Sequence, residues 1–341
     1  MSATVIHDLR EIDFDRPGKT HYQIAFHLDS SWGYSLVPMT VINGIAGADG
    51  RSLPGVAVFG GTHGNEYEGQ VAVKRLCTDL EPKEMHGRVI LIPQLSETAC
   101  RGHERCSPED GVNMNRAFPG NPKGTLSYRI ANFVKTQIFP RVGVVIDIHA
   151  GGREAVFPLC VSFHPLADVK QHEETTRVAR LFDTPFVFIY SRQMASGLLS
   201  DEAEDEGKIT IGGEFGHAES TDPQGVRHAY EGTKNVLRYY GMLSGDIIRI
   251  DPKREALPRL VSAPLLSDYI PAPRSGIWEP AVTPGTDVEK GDLLGRLHDF
   301  SDHSSPALEI RAHKSGVVIA MRFAAVCEKG ITLYVIGEDA I

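Results

Sequence analysis

The stretch Val56-Ala57-Val58-Phe59-Gly60-Gly61-Thr62-His63-Gly64-Asn65-Glu66 decides the fold of this chain. Its first four residues are apolar, as is typical of a strand that is covered on both faces of a sheet. A pair of glycines ends the run, and a histidine and a glutamate follow on the turn beyond it. A second apolar run, Val142–Ile148, is likewise followed by His149 at the start of a glycine-rich turn. The sequence therefore places metal-binding residue types at two predicted strand ends.

Short apolar runs of this kind alternate with amphipathic segments from about residue 35 to residue 250. The alternation predicts an α/β domain with a parallel or mixed sheet flanked by helices. Ligands of such sheets bind at the carboxyl ends of strands, which is where both histidines are expected. The predicted strands are Val56–Phe59, Val89–Pro93, Val142–Ile148, Leu159–Phe163, Phe186–Tyr190 and Ile209–Gly212. The predicted helices are Glu68–Leu80, Leu126–Phe139, Leu166–Phe182 and Gly225–Tyr240.

The composition changes after residue 255, so we expect one domain over residues 1–255 and a second over 256–341. A proline-rich segment, residues 264–274, is predicted to be a linker. Short alternating strands with Pro-Gly and Lys-Gly turns then predict a small all-β domain. It resembles the biotinyl/lipoyl barrel-sandwich, whose carriers present a lysine on a hairpin tip. The corresponding tip, residues 304–309, has no lysine, so we interpret the domain as structural or gating.

The bulk composition narrows the class of protein. The 341 residues are 41% hydrophobic and 23% charged, which is typical of a soluble globular protein. A formal net charge of −9 argues against a nucleic-acid surface, which needs a basic patch. The apolar stretches are too short to span a membrane, and no signal peptide is evident. Five cysteines without a regular pattern favour reduced thiols and a cytoplasmic location.

Three residues are candidates for one metal centre. His63 and Glu66 lie three residues apart on one turn, and His149 follows another strand. Two histidines and one glutamate, with the fourth position left to water, form the ligand set of hydrolytic zinc sites. Asp147 points the same way along its strand as His149 and is expected to orient a ligating imidazole. Taken alone, the His-x-x-Glu pair carries little information and is also typical of an ordinary loop histidine and a solvated carboxylate. The alternative for Asp147 is a buried aspartate bonded to backbone.

The remaining candidates fit the same hydrolytic chemistry. Glu214 follows an apolar run and is predicted to be the general base, with a surface acid as the alternative. The fork of Arg116 and the amide of Asn115 are suited to a substrate carboxylate. Arg105 is a candidate for stabilising the oxyanion, and Arg101 competes for that role. Either arginine is also compatible with a surface salt bridge. The segment Cys100–Cys106 has the residue types of a metal site, but its spacing fits no common zinc module.

Taken together, these motifs resemble those of the succinylglutamate desuccinylase/aspartoacylase family, which is related to the zinc carboxypeptidases. The resemblance rests on Gly60–Glu66, Asn113–Gly120, Asp147–Gly152 and Glu214–Gly216 and covers nearly the whole chain. It implies a zinc-carboxypeptidase-like mixed sheet and one Zn2+ per chain. It also implies a small N-acyl amino acid as substrate and is compatible with a homodimer. On this resemblance His63, Glu66 and His149 bind zinc, Glu214 is the base, Asn115 and Arg116 hold the substrate carboxylate, and Arg105 polarises the scissile carbonyl.

Within the family, residues 64–69 and 107–111 resemble the deacetylases that act on Nα-acetyl-L-2,4-diaminobutyrate in ectoine degradation. This chain departs from their pattern by extra residues before Ser107. A cationic side chain would require a carboxylate, for which Glu109, Asp110 and Glu154 are candidates. Arg153 would instead suit the anionic side chain of an aspartoacylase or desuccinylase substrate. The sequence is also compatible with a metallocarboxypeptidase, and with a non-enzymatic metal- or ligand-binding protein on a decayed hydrolase fold.

Overall fold

The computed structural model describes residues 3–44 and 53–340. Strands and helices alternate through the first 240 residues, followed by strands alone apart from one short 3-10 turn. The strands of the first part are β1 (Thr4–Ile6), β2 (Gly18–His27), β3 (Tyr34–Asn43), β4 (Val56–Phe59), β5 (Arg88–Ile92), β6 (Val144–Asp147), β7 (Ala155–Val156), β8 (Cys160–Phe163), β9 (Phe186–Tyr190) and β10 (Ile209–Glu214). Its helices are α1 (Tyr67–Asp79), α2 (Glu97–Gly102), α3 (Leu126–Phe133), α4 (Val169–Arg180), α5 (Leu199–Asp205) and α6 (Pro223–Tyr239).

The central strands are apolar because helices cover both faces of their sheet. In β4, Ala57 and Phe59 join the hydrophobic core that contains α3. Val56 and Val58, on the opposite face, join the core that contains α1, α4 and α6. All four side chains are fully buried. The run is continuously apolar because each face of the strand packs into a different hydrophobic core, as expected for a strand buried on both faces.

The sheet is mixed, and its parallel part positions the site. Its order is β1-β2-β3-β5-β4-β6-β10-β8-β9, and β5, β4, β6 and β10 run parallel to one another. The last residue of β4, Phe59, is paired with Asp147 at the end of β6. A bridge connects His149 and Glu214 just beyond. The carboxyl ends of three adjacent strands therefore meet at one edge, which agrees with the predicted fold class.

The turn between β4 and α1 requires glycine at two positions. Gly61 has a φ of 65°, in the left-handed region that residues with a Cβ seldom adopt. A Cβ on Gly64 would lie 2.0 Å from the carbonyl carbon of Ala99, so α2 packs directly against the turn. Helix α1 then begins at Tyr67, immediately after Glu66. The turn is therefore short and fixed in position by α2.

The predicted helices are present with shifted ends. Helix α4 begins later than expected because Asp168 accepts a hydrogen bond from the Gln171 N–H and caps it. Helix α6 begins two residues earlier than expected because Asp222 caps it and Pro223 occupies its first turn. The predicted helix Leu126–Phe139 is α-helical only to residue 133 and continues as a π turn and a 3-10 turn.

The sequence analysis did not predict the long hairpin of β2 and β3. These strands extend the sheet beyond β5, and alternate residues such as Ile24 and Phe26 face the core. The intervening residues Gln23, Ala25 and His27 are partly or fully exposed, so the alternation is that of strands near a sheet edge with one solvated face.

The C-terminal strands extend the large sheet and also form a second sheet of their own. Their strands are β11 (Arg259–Ala263), β12 (Tyr269–Pro271), β13 (Gly276–Pro280), β14 (Asp287–Val288), β15 (Leu293–His298), β16 (Leu308–Arg311), β17 (Gly316–Arg322), β18 (Val326–Cys327) and β19 (Thr332–Asp339). The large sheet continues from β9 through β11, β19, β17 and β14. A second, antiparallel sheet has the order β16-β15-β13-β18. A boundary at residue 255 stays a prediction.

The predicted linker at residues 264–274 is wrong in part. Leu266–Asp268 form a 3-10 turn, and β12 pairs antiparallel with β19. The Tyr269 hydroxyl donates to the Ala263 carbonyl oxygen at 3.2 Å and accepts from the Ser191 N–H at 3.1 Å. These bonds hold the proline-rich segment against the first part of the chain. Among the described residues, no helix has the length and apolarity needed to cross a membrane.

Candidate active site

A cleft of about 430 Å3 opens at the carboxyl ends of β4, β6 and β10. This volume falls in the range of pockets for small ligands. The predicted site residues His63, Glu66, Arg105, Asn115, Arg116, Asp147, His149 and Glu214 all line it. The structure therefore brings together residues that are separated by up to 151 positions in the sequence (63 to 214).

Three side chains converge on one point of this cleft. His63 Nδ1 lies 2.7 Å from Glu66 Oε1, and His149 Nδ1 lies 2.9 Å from Glu66 Oε2. One ligand atom from each of the three lies within 4.8 Å of the others. His63 and Glu66 are each 3% exposed, so water competes little for these atoms. The donor set fits a divalent metal such as zinc.

Each histidine is oriented by a partner at its other ring nitrogen. His149 Nε2 lies 2.8 Å from Asp147 Oδ2, and the Thr62 hydroxyl donates to Asp147 Oδ1 at 2.7 Å. His63 Nε2 lies 3.0 Å from Asn113 Oδ1. When both oxygens accept an Nε2–H, the lone pair of each Nδ1 is left for a metal. Asp147 was predicted for this role; the sequence analysis overlooked Asn113.

The charges of the site favour a bound cation. Burial lowers the pKa of His63, so its imidazole is neutral. Burial opposes the charged form of His149, but the carboxylates of Asp147 and Glu66 outweigh it and raise the pKa of this histidine well above its usual value. Burial likewise opposes ionisation of Glu66, but His63 and His149 outweigh it and hold the pKa of Glu66 well below its usual range. A divalent cation supplies the positive charge that these carboxylates attract.

Glu214 lies at the end of β10 with one carboxylate oxygen unused. Its Oε2 is buried and, among the described residues, has no hydrogen-bond partner. Burial, and then the nearby charge of Glu66, raise the pKa of Glu214 to about 8. A carboxyl group with a pKa in this range exchanges a proton close to neutral pH. The predicted base thus has the environment that such a role needs.

The structure separates the two candidate arginines. Arg105 Nη1 lies 2.9 Å from Glu66 Oε1, inside the cleft. The Arg101 side chain is 64% exposed and lies 3.5 Å from Glu97 on its own helix. Of these two arginines, Arg105 is therefore the one that can contact a substrate bound beside His63, Glu66 and His149.

Asn115 and Arg116 face the cleft from the segment before α3. Asn115 Oδ1 accepts from the Leu199 N–H at 2.9 Å. The amide NH2 has no hydrogen-bond partner among the described residues and can donate to a ligand. Arg116 Nη1 donates to the Asn115 carbonyl oxygen at 2.6 Å. In the described parts of the chain, no carboxylate lies within ion-pairing distance of Arg116. A guanidinium that lines the cleft without an acidic partner is suited to an anionic ligand.

Only one of the three candidate side-chain carboxylates lines the cleft. Glu109 accepts from the N–H and the hydroxyl of Ser30 at 2.6 and 2.7 Å. Asp110 accepts from the Ser127 N–H at 2.8 Å at the start of α3. Both are therefore occupied by structural bonds. Glu154 lines the cleft and pairs with Arg322 of β17.

The C-terminal strands form one wall of the cleft. Residues 320–322 of β17 and 331–335, mostly in β19, line it. Strand β7, six residues after His149, pairs with the end of β17, and the Phe323 N–H donates to the Glu154 carbonyl oxygen at 2.9 Å. The wall is thus hydrogen-bonded to the segment that carries a candidate ligand.

Two other clusters do not resemble this centre. His164, Asp201 and Glu204 also group closely, but Arg192 lies 3.6 Å from Asp201 and 3.9 Å from Glu204. A guanidinium already neutralises that cluster, which makes it an ion-pair network. Cys100 is buried and its thiol lies 3.4 Å from the Gly61 carbonyl oxygen, so the Cys100–Cys106 segment supports the β4–α1 turn.

Comparison with known proteins decides the family. The model of the succinylglutamate desuccinylase/aspartoacylase catalytic domain matches residues 52–240, more than half of the chain. The chain belongs to the succinylglutamate desuccinylase/aspartoacylase family. The predicted family and fold class are therefore confirmed.

Relatives within the desuccinylase/aspartoacylase family cover almost the whole chain. The N-alpha-acetyl-L-2,4-diaminobutyric acid deacetylase of Halomonas elongata is 31% identical over 96% of this chain and 94% of its own length. A family structure from Rhodobacter sphaeroides superposes with a TM-score of 0.90 at 31% identity, covering 97% and 98% of the two chains. The product-bound ectoine utilization protein EutE of Ruegeria pomeroyi superposes with a TM-score of 0.87 at 29% identity, covering 96% and 97%.

Proposed function

We propose that this chain is a zinc-dependent hydrolase that removes the acetyl group of Nα-acetyl-L-2,4-diaminobutyrate. The observation that carries the proposal is the convergence of His63, Glu66 and His149 beside the unused carboxylate oxygen of Glu214. The similarity to the Halomonas elongata deacetylase and to the ectoine utilization protein supports the choice of substrate.

Glu214 is the group that moves protons in this proposal. Zinc held by His63, Glu66 and His149 would supply a Lewis acid that polarises the acyl carbonyl and acidifies a water molecule. The Glu214 carboxylate takes a proton from the attacking water as the new C–O bond forms. It then gives that proton to the amide nitrogen as the C–N bond breaks, which releases acetate and the free amine.

Arg105 and the Asn115–Arg116 pair hold the substrate around this base. Arg105 contacts Glu66 and is placed to donate an N–H to the oxygen that gains negative charge. The Arg116 guanidinium and the free Asn115 amide would bind the substrate α-carboxylate. Fixing the carboxylate and the acyl oxygen separately orients the amide between them.

Glu154 is the proposed partner of the substrate side chain. Nα-acetyl-L-2,4-diaminobutyrate carries an ammonium group, and Glu154 is the candidate carboxylate that lines the cleft. Arg322 pairs with it from the C-terminal wall, and on binding the ammonium would share Glu154 with this guanidinium. The arginine also gives an anionic side chain a partner, as an aspartoacylase-type substrate would need.

The C-terminal wall supports a small substrate over a peptide. Residues 320–322 and 331–335 line one side of the cleft, and we expect this wall to limit the length of a bound substrate. This favours an N-acyl amino acid deacylase over a carboxypeptidase.

Release of free amine from a panel of substrates tests the proposal. The panel contains Nα-acetyl-L-2,4-diaminobutyrate, N-acetylaspartate, N-succinylglutamate and a dipeptide, each with and without a chelator. Chelator-sensitive cleavage of the first compound is expected. Cleavage of the dipeptide alone would identify a carboxypeptidase, and an inactive protein that binds zinc would favour a binding protein. Metal analysis of His149→Ala is expected to show loss of zinc; full occupancy would contradict the ligand assignment.

A further inference from the structure

The loop after Glu214 has an unusual backbone. Ala218 and Glu219 have φ values of 59° and 52°, both in the left-handed region. Residues with a Cβ adopt this conformation at a cost in free energy, and two in succession persist only where other contacts hold them. The loop directly follows the proposed base.

The Glu219 carboxylate is the centre of those contacts. Its Oε1 accepts from Asn65 Nδ2 at 2.9 Å and from Arg153 Nε at 2.5 Å. Asn65 lies on the turn between His63 and Glu66, and Arg153 lies four residues after His149. One oxygen thus joins the loop of the base to both segments that carry proposed metal ligands.

Backbone bonds fix the same loop from the other side. The Ala218 N–H donates to the Gly152 carbonyl oxygen, and the Gly151 N–H donates to the Gly216 carbonyl oxygen, each at 2.8 Å. These bonds fasten the loop to the His149 segment only. The end of the loop is also bonded to α1, because the Asp222 N–H donates to Glu68 Oε1 at 2.8 Å. Among the described residues, the hydrogen bond that connects the loop to the β4–α1 turn itself is Asn65–Glu219, and Asn65 is 4% exposed.

We infer that Glu219 is a positioning residue, which fixes the proposed base Glu214 relative to the turn of His63 and Glu66. The inference rests on the proposed function for its effect on turnover. Glu219 is not among the side chains that line the cleft, so it acts through Asn65 and the loop and does not touch the substrate. Its left-handed backbone is the conformation that brings the carboxylate to Asn65.

Substitutions at residue 219 separate this role from a merely structural one. Glu219→Ala is expected to lower kcat roughly 10- to 100-fold, the size of effect expected when reacting groups are misplaced by about 1 Å, with little change in KM. Glu219→Gly also removes the carboxylate but relieves the left-handed backbone, so it should fold at least as well and lose as much kcat. Glu219→Gln keeps an oxygen that accepts from Asn65 and should restore most of the turnover.

Glu104→Ala is the matched control. Glu104 lies 4.0 Å from the same guanidinium of Arg153, and its hydrogen bonds include none to Asn65. Its loss should leave kcat unchanged. Three results would overturn the inference. The first is an unchanged kcat in both Glu219→Ala and Glu219→Gly, and the second is an equal fall of kcat in Glu104→Ala. The third is a fall of kcat that follows the melting temperature and is absent in Glu219→Gly.

Zinc affinity gives a readout that does not depend on the substrate. Competition with a chelator should show Zn2+ bound at least threefold more weakly by Glu219→Ala than by Glu104→Ala, because the turn of His63 and Glu66 loses a fixed contact. If the wild-type protein cleaves nothing in the panel, the proposed function fails and this comparison alone decides the inference. Equal affinities in that case would overturn it.

Discussion

At the scale of single residues, the centre depends on which nitrogen of each histidine is free. Asp147 and Asn113 occupy the Nε2 atoms of His149 and His63, so both Nδ1 atoms face Glu66. Nδ1 lies nearer to the main chain than Nε2 does. A metal here would be held close to the backbone of β4 and β6, where the sheet allows little movement.

Glu214→Gln is expected to keep its metal and to lose activity. The amide cannot accept a proton from water at neutral pH, so kcat should fall roughly 10²- to 10⁴-fold. Turnover of the panel substrate and metal content are measured together. A variant with normal turnover would remove Glu214 from the mechanism.

Asn113→Ala is expected to weaken zinc binding by roughly 10- to 100-fold, because the His63 ring loses the oxygen that orients it. Chelator competition measures the affinity. Asn113→Asp keeps an acceptor and should bind zinc nearly as well as the wild type. Asn121→Ala, which removes an exposed turn asparagine of the same segment, is the control. Equal affinities for all four proteins would show that Asn113 does not orient His63.

The candidate ligands were identified from the sequence, whereas Asn113 was missed. His63, Glu66 and His149 follow apolar runs, and that pattern alone places them at strand ends. Asn113 lies fifty positions from His63, and its contact depends on the path of an irregular segment. Its position two residues before Asn115, in a motif already considered, was the available signal. Likewise, Arg105 and Arg101 became distinguishable only once their exposure was known.

At the scale of elements, the contact between α2 and the β4–α1 turn fixes the position of His63 and Glu66. Gly64 touches the backbone of Ala99, and the Leu95 and Ser96 N–H groups donate to the carbonyl oxygens of Gly60 and Gly61. The turn is therefore packed against α2, a helix that the sequence analysis did not predict.

Gly64→Ala is expected to destabilise the protein by about 1–3 kcal/mol and to weaken zinc binding, because the new methyl group pushes α2 from the turn. Urea unfolding and chelator competition are the measurements. Gly102→Ala, at the end of the same helix, brings a Cβ no closer than 3.4 Å to its neighbours and should be tolerated. Equal stability of the two variants would show that the contact at Gly64 can relax.

The apolar central strands and the four longer amphipathic helices were predicted from the sequence, whereas the β2–β3 hairpin, β12 and the short helix α2 were not. The β2–β3 hairpin alternates polar and apolar residues at the edge of the sheet. Strand β12 lies within a proline-rich segment, where local composition favours a loop. It is a strand because it pairs with β19 and because the Tyr269 hydroxyl holds it by hydrogen bonds. Tertiary contacts of this kind leave no pattern in a short stretch of sequence.

At the scale of the molecule, the buried carboxyl groups make stability depend on pH. The pKa of Glu214 is raised from 4.5 to about 8 in the metal-free fold. The folded protein therefore holds a proton that the unfolded chain releases above pH 4.5. The resulting stabilisation is present at low pH and is lost as the pH rises through about 8.

Metal-free wild-type protein should accordingly lose more thermal stability between pH 6 and pH 9 than metal-free Glu214→Gln. His149, whose pKa is also raised, contributes in the same direction in both proteins, so their difference isolates Glu214. Melting temperatures across this range provide the measurement. Parallel curves would show that Glu214 does not take up a proton on folding.

The pairing of β7 with β17 has a consequence for biosynthesis. Every proposed metal ligand and the base precede residue 215, but the wall of the cleft is made by residues 320–322 and 331–335. Strand β19, near the end of the chain, inserts between β11 and β17. Because domains emerge from the ribosome amino end first, a nascent chain would expose its proposed metal ligands before this wall of the cleft exists. The proposed ligands and base are therefore synthesised before the strands that form the wall of the cleft beside them.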